Sequence, residues 1–168
     1  MAPSAFELEV PGYGPKPSKI MFVGISGGRL GALITKVPFT RGPAGRLFQR
    51  TLGKLGLSES DERSEAPVLR CYVTNLVKGV CLTEKGMNRL PTIKEIEFWW
   101  PHFYREFEEV RPEIVIAMGD LVYRTLCRKG VRARMVKHPR WYESHGAISN
   151  NASYDKMLRD YEEAVRSS

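Results

Sequence analysis

The chain has 168 residues, a mass of 19.1 kDa and 42% hydrophobic residues, enough for one core of ordinary domain size. Twenty-six Lys and Arg against nineteen Asp and Glu give a formal charge of +7 and a pI near 9.5, which makes a polyanion a plausible partner. The 27% charged fraction and the supply of Phe, Tyr and Trp exclude a disordered basic tail, and no apolar run approaches the roughly 18 residues of a bilayer-spanning helix.

The expected compartment is the cytoplasm, because Met1 to Gly14 has neither the basic nor the apolar segment of a secretory signal. Residues 1–18 carry Pro3, Pro11, Pro15 and Pro17 with Gly12 and Gly14 and read as an extended or mobile arm; residues 19–168 read as the single domain. Lys19 to Gly24 is a short apolar run ending in glycine, the pattern of a buried strand entering a turn. Leu47, Phe48, Leu52 and Leu55 share one helical face ahead of Gly56. A second strand spans Cys71 to Val77. Thr92 and Glu95 stand in capping-box register before a helix whose stripe is Ile93, Ile96, Trp100, Phe103, Phe107 and Val110. Glu113 to Gly119 is a third strand, Asp120 to Arg128 a short helix and Arg132 to Val136 a weaker fourth strand; Tyr154, Met157, Leu158, Tyr161 and Val165 mark a terminal helix. The alternation predicts an α/β/α sandwich on a four-stranded parallel sheet, with ligands beyond the carboxyl ends of its strands.

Chemistry is therefore sought after Val23, Val77, Gly119 and Val136. From Val10 to Ser58 no acid occurs, whereas Lys16, Lys19, Arg29, Lys36, Arg41, Arg46, Arg50 and Lys54 are all basic. Arg41 to Gly45 opens the first long helix, where free N–H groups favour an anion; a merely solvated basic face is the competing reading. Gly24-Ile25-Ser26-Gly27-Gly28 matches the G-x-S-x-G pattern of a nucleophilic serine, with Asp120 and His138 or His145 as partners, but Pro38 intervenes before the helix such an elbow must enter. A glycine-rich turn that lets backbone approach a ligand explains the same residues. Asn75, near the end of strand two, is either a structural bracket or a reader of a planar amide-like ligand. His138 ends the fourth strand at the same edge, and His102 reads as surface. Cys71, Cys81 and Cys127 have no CxxC spacing, so reduced thiols and no metal are expected.

Five blocks in order, Pro38-Phe39-Thr40-Arg41-Gly42-Pro43-Ala44-Gly45, Tyr72 to Lys78 around Thr74-Asn75, Asn88-Arg89-Leu90-Pro91-Thr92, Pro112 to Gly119 and His138-Pro139, resemble the uracil-DNA glycosylase superfamily, nearest its family-four branch. The resemblance covers about residues 19 to 165. It implies a DNA partner carrying uracil or a related deaminated base, base flipping, and a monomer working intracellularly at the nucleoid. Carried across by position, it implies that Gly24, Ile25, Phe39 and Asn75 hold the base, with Phe39 stacking and Asn75 bonding the amide edge. His138 would stabilise the departing base; for the attacking water the chain itself offers Ser26 with backbone groups, or an acid from another loop such as Glu84. Arg41, Gly42, Gly45, Arg46 and Lys78 would meet DNA, and Arg140, Trp141 and Tyr142 would form the loop that enters the duplex.

Two departures stand out. The family's first motif has a glutamate after its leading glycine, where this chain has Ile25. Family four also holds a [4Fe–4S] cluster on four cysteines, and here Gly79 and Trp99 stand at two of the expected places. No cluster is expected, with packing by Trp99 in its stead. The missing acid keeps a second reading in view, a weak or silent base-binding module of the same fold, and leaves the serine hydrolase third.

Overall fold

A computed structural model describes residues 9–166. Its four parallel strands are β1 (Ile20–Gly24), β2 (Tyr72–Asn75), β3 (Ile114–Met118) and β4 (Arg134–Val136), in the order β2-β1-β3-β4. Between and after them run α1 (Ala32–Thr35), α2 (Pro43–Lys54), α3 (Ile93–Val110), α4 (Asp120–Arg128), α5 (Pro139–Ser144) and α6 (Asn151–Val165).

Alternation along the strands assigns the two faces of the sheet. Phe22, Val73, Ile116 and Met118 point to one side, where Phe48 and Leu52 of α2, Tyr142 of α5 and Met157 and Tyr161 of α6 cover them. Met21, Val23, Tyr72, Val115 and Ala117 point to the other, against Phe103 and Val110 of α3 and Val122 and Leu126 of α4. These layers make the α/β/α sandwich expected from the sequence. Phe22 stands edge-on to Phe48 at 5.3 Å and stacks on Tyr161 at 6.2 Å, which ties α2 and α6 to the central strand.

Helix ends follow their local chemistry. Pro43 at the first turn of α2 needs no hydrogen-bond acceptor for its nitrogen, and Gly56, with φ 74°, supplies the left-handed residue just past the end. Thr92 and Glu95 form the capping box of α3: the Thr92 hydroxyl accepts from Glu95 N at 3.2 Å and the Glu95 carboxylate from Thr92 N at 3.4 Å. Arg111, with φ 50°, ends that helix, and Pro112 cannot extend it. Gly119, with φ 105°, turns β3 directly into α4.

Several expectations are corrected. Ile93, placed on the apolar stripe of α3, is 75% exposed; the core is reached instead by Trp99, which packs with Val77, Cys81 and Ile96, while Trp100 and Phe107 are half-buried. β4 is an edge strand rather than a fully buried one, with Met135 on the exposed side. α1 and α5 were legible only as loops. Of the N-terminal arm, residues 1–8 lie outside the described part. Residues 9–18 run along the outer edge of β2: Glu9 bridges Gly79, Tyr13 bridges Val73, and Val10 N donates to Lys78 O at 2.7 Å. Among the described residues no helix is long and apolar enough to cross a membrane.

Thr92→Ala removes the acceptor for Glu95 N and should lower the unfolding free energy by about 1 kcal/mol, read from urea denaturation.

Candidate functional site

In the order β2-β1-β3-β4 the chain leaves β1 for β2 on one side by way of α2 and returns by way of α3 to β3 on the other, so the carboxyl end of β1 is where the sheet's winding changes direction. Gly24 is the last residue of that strand and pairs in register with Asn75, the last of β2. A Cβ on Gly24 would lie 2.5 Å from Asn75 Oδ1 and 2.5 Å from Phe39 Cζ. Glycine is thus required for these two side chains to converge over the strand end.

Asn75 is 2% exposed, and its Oδ1 is buried without a hydrogen-bond partner. An orphaned buried acceptor is costly, and in a recess its natural complement is a donor on a ligand. Phe39 is held by backbone rather than by freedom of its own. Its φ is 55°, an uncommon conformation for a bulky residue, and Lys36 (62°) and Arg41 (69°) in the same loop share it. Gln49, a buried polar residue on the inner face of α2, donates from Nε2 to Phe39 O at 2.9 Å. Gly45 lets α2 close on the loop, since a Cβ there would meet Phe39 C and Thr40 N at 2.9 Å. The Phe39 ring packs on Phe48 at 5.0 Å and faces His138 at 5.6 Å.

His138 caps α5. Its Nδ1 accepts from Arg140 N at 3.0 Å, which leaves the proton of the neutral ring on Nε2. Burial, assisted by the nearby Arg140 charge, lowers its pKa to about 4, so the ring is a neutral donor at pH 7. Tyr161 of α6 fixes the approach to it by donating to Lys137 O at 2.9 Å.

The structure therefore brings together Gly24, Phe39, Asn75 and His138. Ile25 follows Gly24 and packs half-buried into the cores on the α3 side, with Val77 N donating to its carbonyl at 3.0 Å. Ser26 is half-buried in the next turn and its hydroxyl has no hydrogen-bond partner among the described residues. No serine–histidine–aspartate relay forms there. Ser26 does not open a helix, the sharp strand-to-helix turn occurs at Gly119, and Asp120 is an exposed partner of Arg124. The serine hydrolase reading lacks its geometry.

Three residues expected at DNA lie elsewhere. Lys78 is buried and paired with Glu106; Tyr142 is buried, donating to Asp160 at 2.6 Å; and Gly45 packs against the backbone of the Phe39 loop. Residues 140–142 belong to helix α5 rather than a loop, which leaves exposed Arg140 and half-buried Trp141 at the surface. Arg41, opposite Glu65 at 3.8 Å, and Arg46 are exposed near the start of α2, where Gly42 is the cap. Gln49, Thr74 and Glu106 escaped sequence reasoning. Gln49 alone carried a signal, a polar residue on an apolar helix face.

The cysteines do not fit a [4Fe–4S] cluster, which takes four thiolates. Cys71 is buried in the α2-side core, Cys81 lies under Trp99 and Cys127 is exposed on α4. Burial pushes the Cys71 thiol up to about 12, and burial with the Glu95 carboxylate does the same to Cys81. Among the described residues no three His, Cys, Asp or Glu side chains gather as a metal site.

The carboxyl end of β1 thus gathers an aromatic ring, an unpaired amide oxygen and a neutral imidazole. Comparison with known proteins gives the family. A family model described as the uracil DNA glycosylase superfamily matches residues 11–162, and the chain belongs to that superfamily. It is 31% identical over 143 residues to a Type-4 uracil-DNA glycosylase of Archaeoglobus fulgidus, covering 79% of this chain and 63% of the relative. A Type-4 uracil-DNA glycosylase of Saccharolobus solfataricus is 37% identical over 111 residues, 66% of this chain and 44% of that protein. A Type-5 uracil-DNA glycosylase of Pyrobaculum aerophilum is 32% identical over 134 residues, 77% of this chain and 57% of that one. The chain thus spans less than two thirds of the length of each. In fold it is similar to the crystal structure of Pedobacter heparinus SMUG2, with a TM-score of 0.61 at 15% identity over 87% of this chain and 75% of that one.

Gly24→Ala should cost about 1–3 kcal/mol in urea denaturation through overpacking against Asn75 and Phe39. Gly53→Ala, inside α2 with nothing near its Cβ, should instead stabilise by about 0.4–1 kcal/mol. Because His138 is held below its ordinary pKa of 6.5, the unfolded chain binds the proton more readily between pH 6.5 and about 4. Its contribution to stability should be intact above pH 6.5 and lost as pH falls through that window. His138→Gln should show a shallower decline there when denaturation is followed against pH.

Proposed function

We propose that the chain is a monofunctional DNA glycosylase that flips uracil, or a closely related deaminated base, out of DNA and hydrolyses its N-glycosidic bond. The observation that carries this reading is the buried, unpartnered Asn75 Oδ1 beside Phe39 over bare Gly24. Uracil presents an N–H flanked by two carbonyls on a planar ring. Asn75 can accept from that N–H while its amide nitrogen donates to a carbonyl, and Phe39 can stack on the ring face.

In the chemical step the bond between the sugar carbon and the base nitrogen breaks, its electron pair leaves with the base, and water adds to the sugar carbon. Negative charge therefore develops on the base. The neutral His138 Nε2–H is a donor available to meet that charge, and in a water-excluded recess such a donor is worth more than in solvent. Ser26 and the backbone of its turn are the groups nearest in sequence to the strand end for holding the water. Loss of a general base costs roughly 10²–10⁴-fold, so leaving-group stabilisation alone supports a slow enzyme.

DNA would lie across the exposed basic residues Arg41, Arg46 and Arg140, with Trp141 beside them, an arrangement supported by the acid-free stretch from Val10 to Ser58. All proposed groups come from one chain, so a monomer suffices, and such an enzyme works inside the cell at the nucleoid. The apolar packing of Ile25 favours a second reading, a base-binding module that has lost turnover.

The test is excision from end-labelled oligonucleotides carrying one uracil, thymine, hypoxanthine or xanthine, single-stranded and paired, with alkali revealing abasic sites. Cleavage of uracil strands by the wild-type protein and a fall of about 10²-fold or more in Asn75→Asp, whose carboxylate repels the base carbonyl, is the expected result. Full activity in Asn75→Asp would remove Asn75 from the site. Tight, salt-dependent binding without any cleavage would establish the silent module.

A further inference from the structure

Lys78 and Glu106 form an ion pair at 2.5 Å that is almost closed to solvent, with side-chain exposures of 6% and 11%. Ions are taken out of water at a high cost, so a pair of this kind calls for a use. Each polar group in it is satisfied. Glu106 Oε2 accepts from Tyr72 OH at 2.7 Å, and Oε1 accepts from Thr74 Oγ1 at 2.8 Å and from Lys78 Nζ. Lys78 Nζ also donates to Thr74 Oγ1 and to the backbone carbonyl of Asn75 at 2.7 Å.

The direction of this network matters. Tyr72 packs on the α3 side of β2, and by strand alternation Thr74 shares that face while Asn75 looks to the other, toward Phe39. The ion pair thus sits behind the strand, on the opposite face from the recess, and the Asn75 carbonyl joins the two. Asn75 is the last residue of β2, and the peptide that follows it is held at both ends: Leu76 N donates to Gly24 O at 2.9 Å, and the Asn75 carbonyl accepts from Lys78. The Asn75 side chain makes no hydrogen bond among the described residues. Its orientation must therefore come from the peptide that carries it.

We propose that Lys78, anchored by Glu106, is a positioning residue that pins the Asn75 peptide from behind the sheet and so aims the free amide edge into the base recess. The proposal rests on the glycosylase reading for its kinetic consequence, but not for its structural one. Lys78 touches neither base nor phosphate in this role, and losing it misplaces the amide without altering the DNA-facing surface.

The test compares the wild-type chain with Glu106→Gln and with the double variant Lys78→Met/Glu106→Gln, which leaves no unpaired buried charge. Single-uracil oligonucleotides give kcat and KM across a salt series, and nitrogen-15 NMR follows the Asn75 side-chain amide, assigned by its disappearance in Asn75→Asp. The double variant should lose about 10²-fold in kcat, keep its KM and salt slope, and show the Asn75 amide signals moved toward free-amide positions. Glu106→Gln, which preserves the shape of the network, should lose less in the same direction. Unchanged kcat and unchanged amide signals in the folded double variant would overturn the proposal, as would a raised KM with a flattened salt slope, the mark of a phosphate contact. If the double variant does not fold, unmoved Asn75 signals in Glu106→Gln overturn it and shifted ones uphold it. If the wild-type protein excises nothing, the glycosylase reading fails, and the NMR comparison still decides what Lys78 does.

Discussion

The site depends on one steric constraint: the end of β1 must carry no side chain. Asn75 comes from a neighbouring strand and Phe39 from the loop ahead of α2, and both arrive where a Cβ on Gly24 would stand. That bare strand end is what lets buried Asn75 and half-buried Phe39 converge. The surrounding structure is arranged to keep them there. Gln49 and Gly45 hold the left-handed backbone of Phe39, so the strain of that loop is met by α2 packed against it.

Electrostatics divides between the two faces of the sheet. Behind β2, an ion pair is buried with its hydrogen-bonding capacity used, which fixes geometry at the expense of desolvation. In front, the groups gathered at the strand end are uncharged: an unpaired amide, an aromatic ring and an imidazole kept neutral by burial. A neutral donor suits a reaction in which charge appears only as the bond breaks, because it does not bind a preformed anion ahead of the transition state.

Much of the architecture was legible because it repeats. The capping box of α3, the extent of α3 and α4 and the position of β1, β2 and β3 followed from periodicity, capping chemistry and Gly or Pro stops. Where one residue stood between two helical faces, periodicity failed. Ile93 belongs to the stripe by spacing, but it lies in the first turn of α3 and is exposed, and Trp99, nearly two turns further in, takes a core position. The block containing His138 marked the end of the sheet, yet not that a helix follows it or that Tyr142 turns inward to Asp160.

The sequence by itself determined the fold class and the family, because both are read from local patterns: periodic apolar positions, turn residues and short ordered blocks. Only the tertiary structure decided which basic and polar residues face solvent. Lys78 reads as a DNA contact from its charge and its place after Asn75, but its partner Glu106 lies on a helix 28 residues away in the chain. Burial and pairing between such distant segments are set by packing in three dimensions, and no spacing along the chain records them.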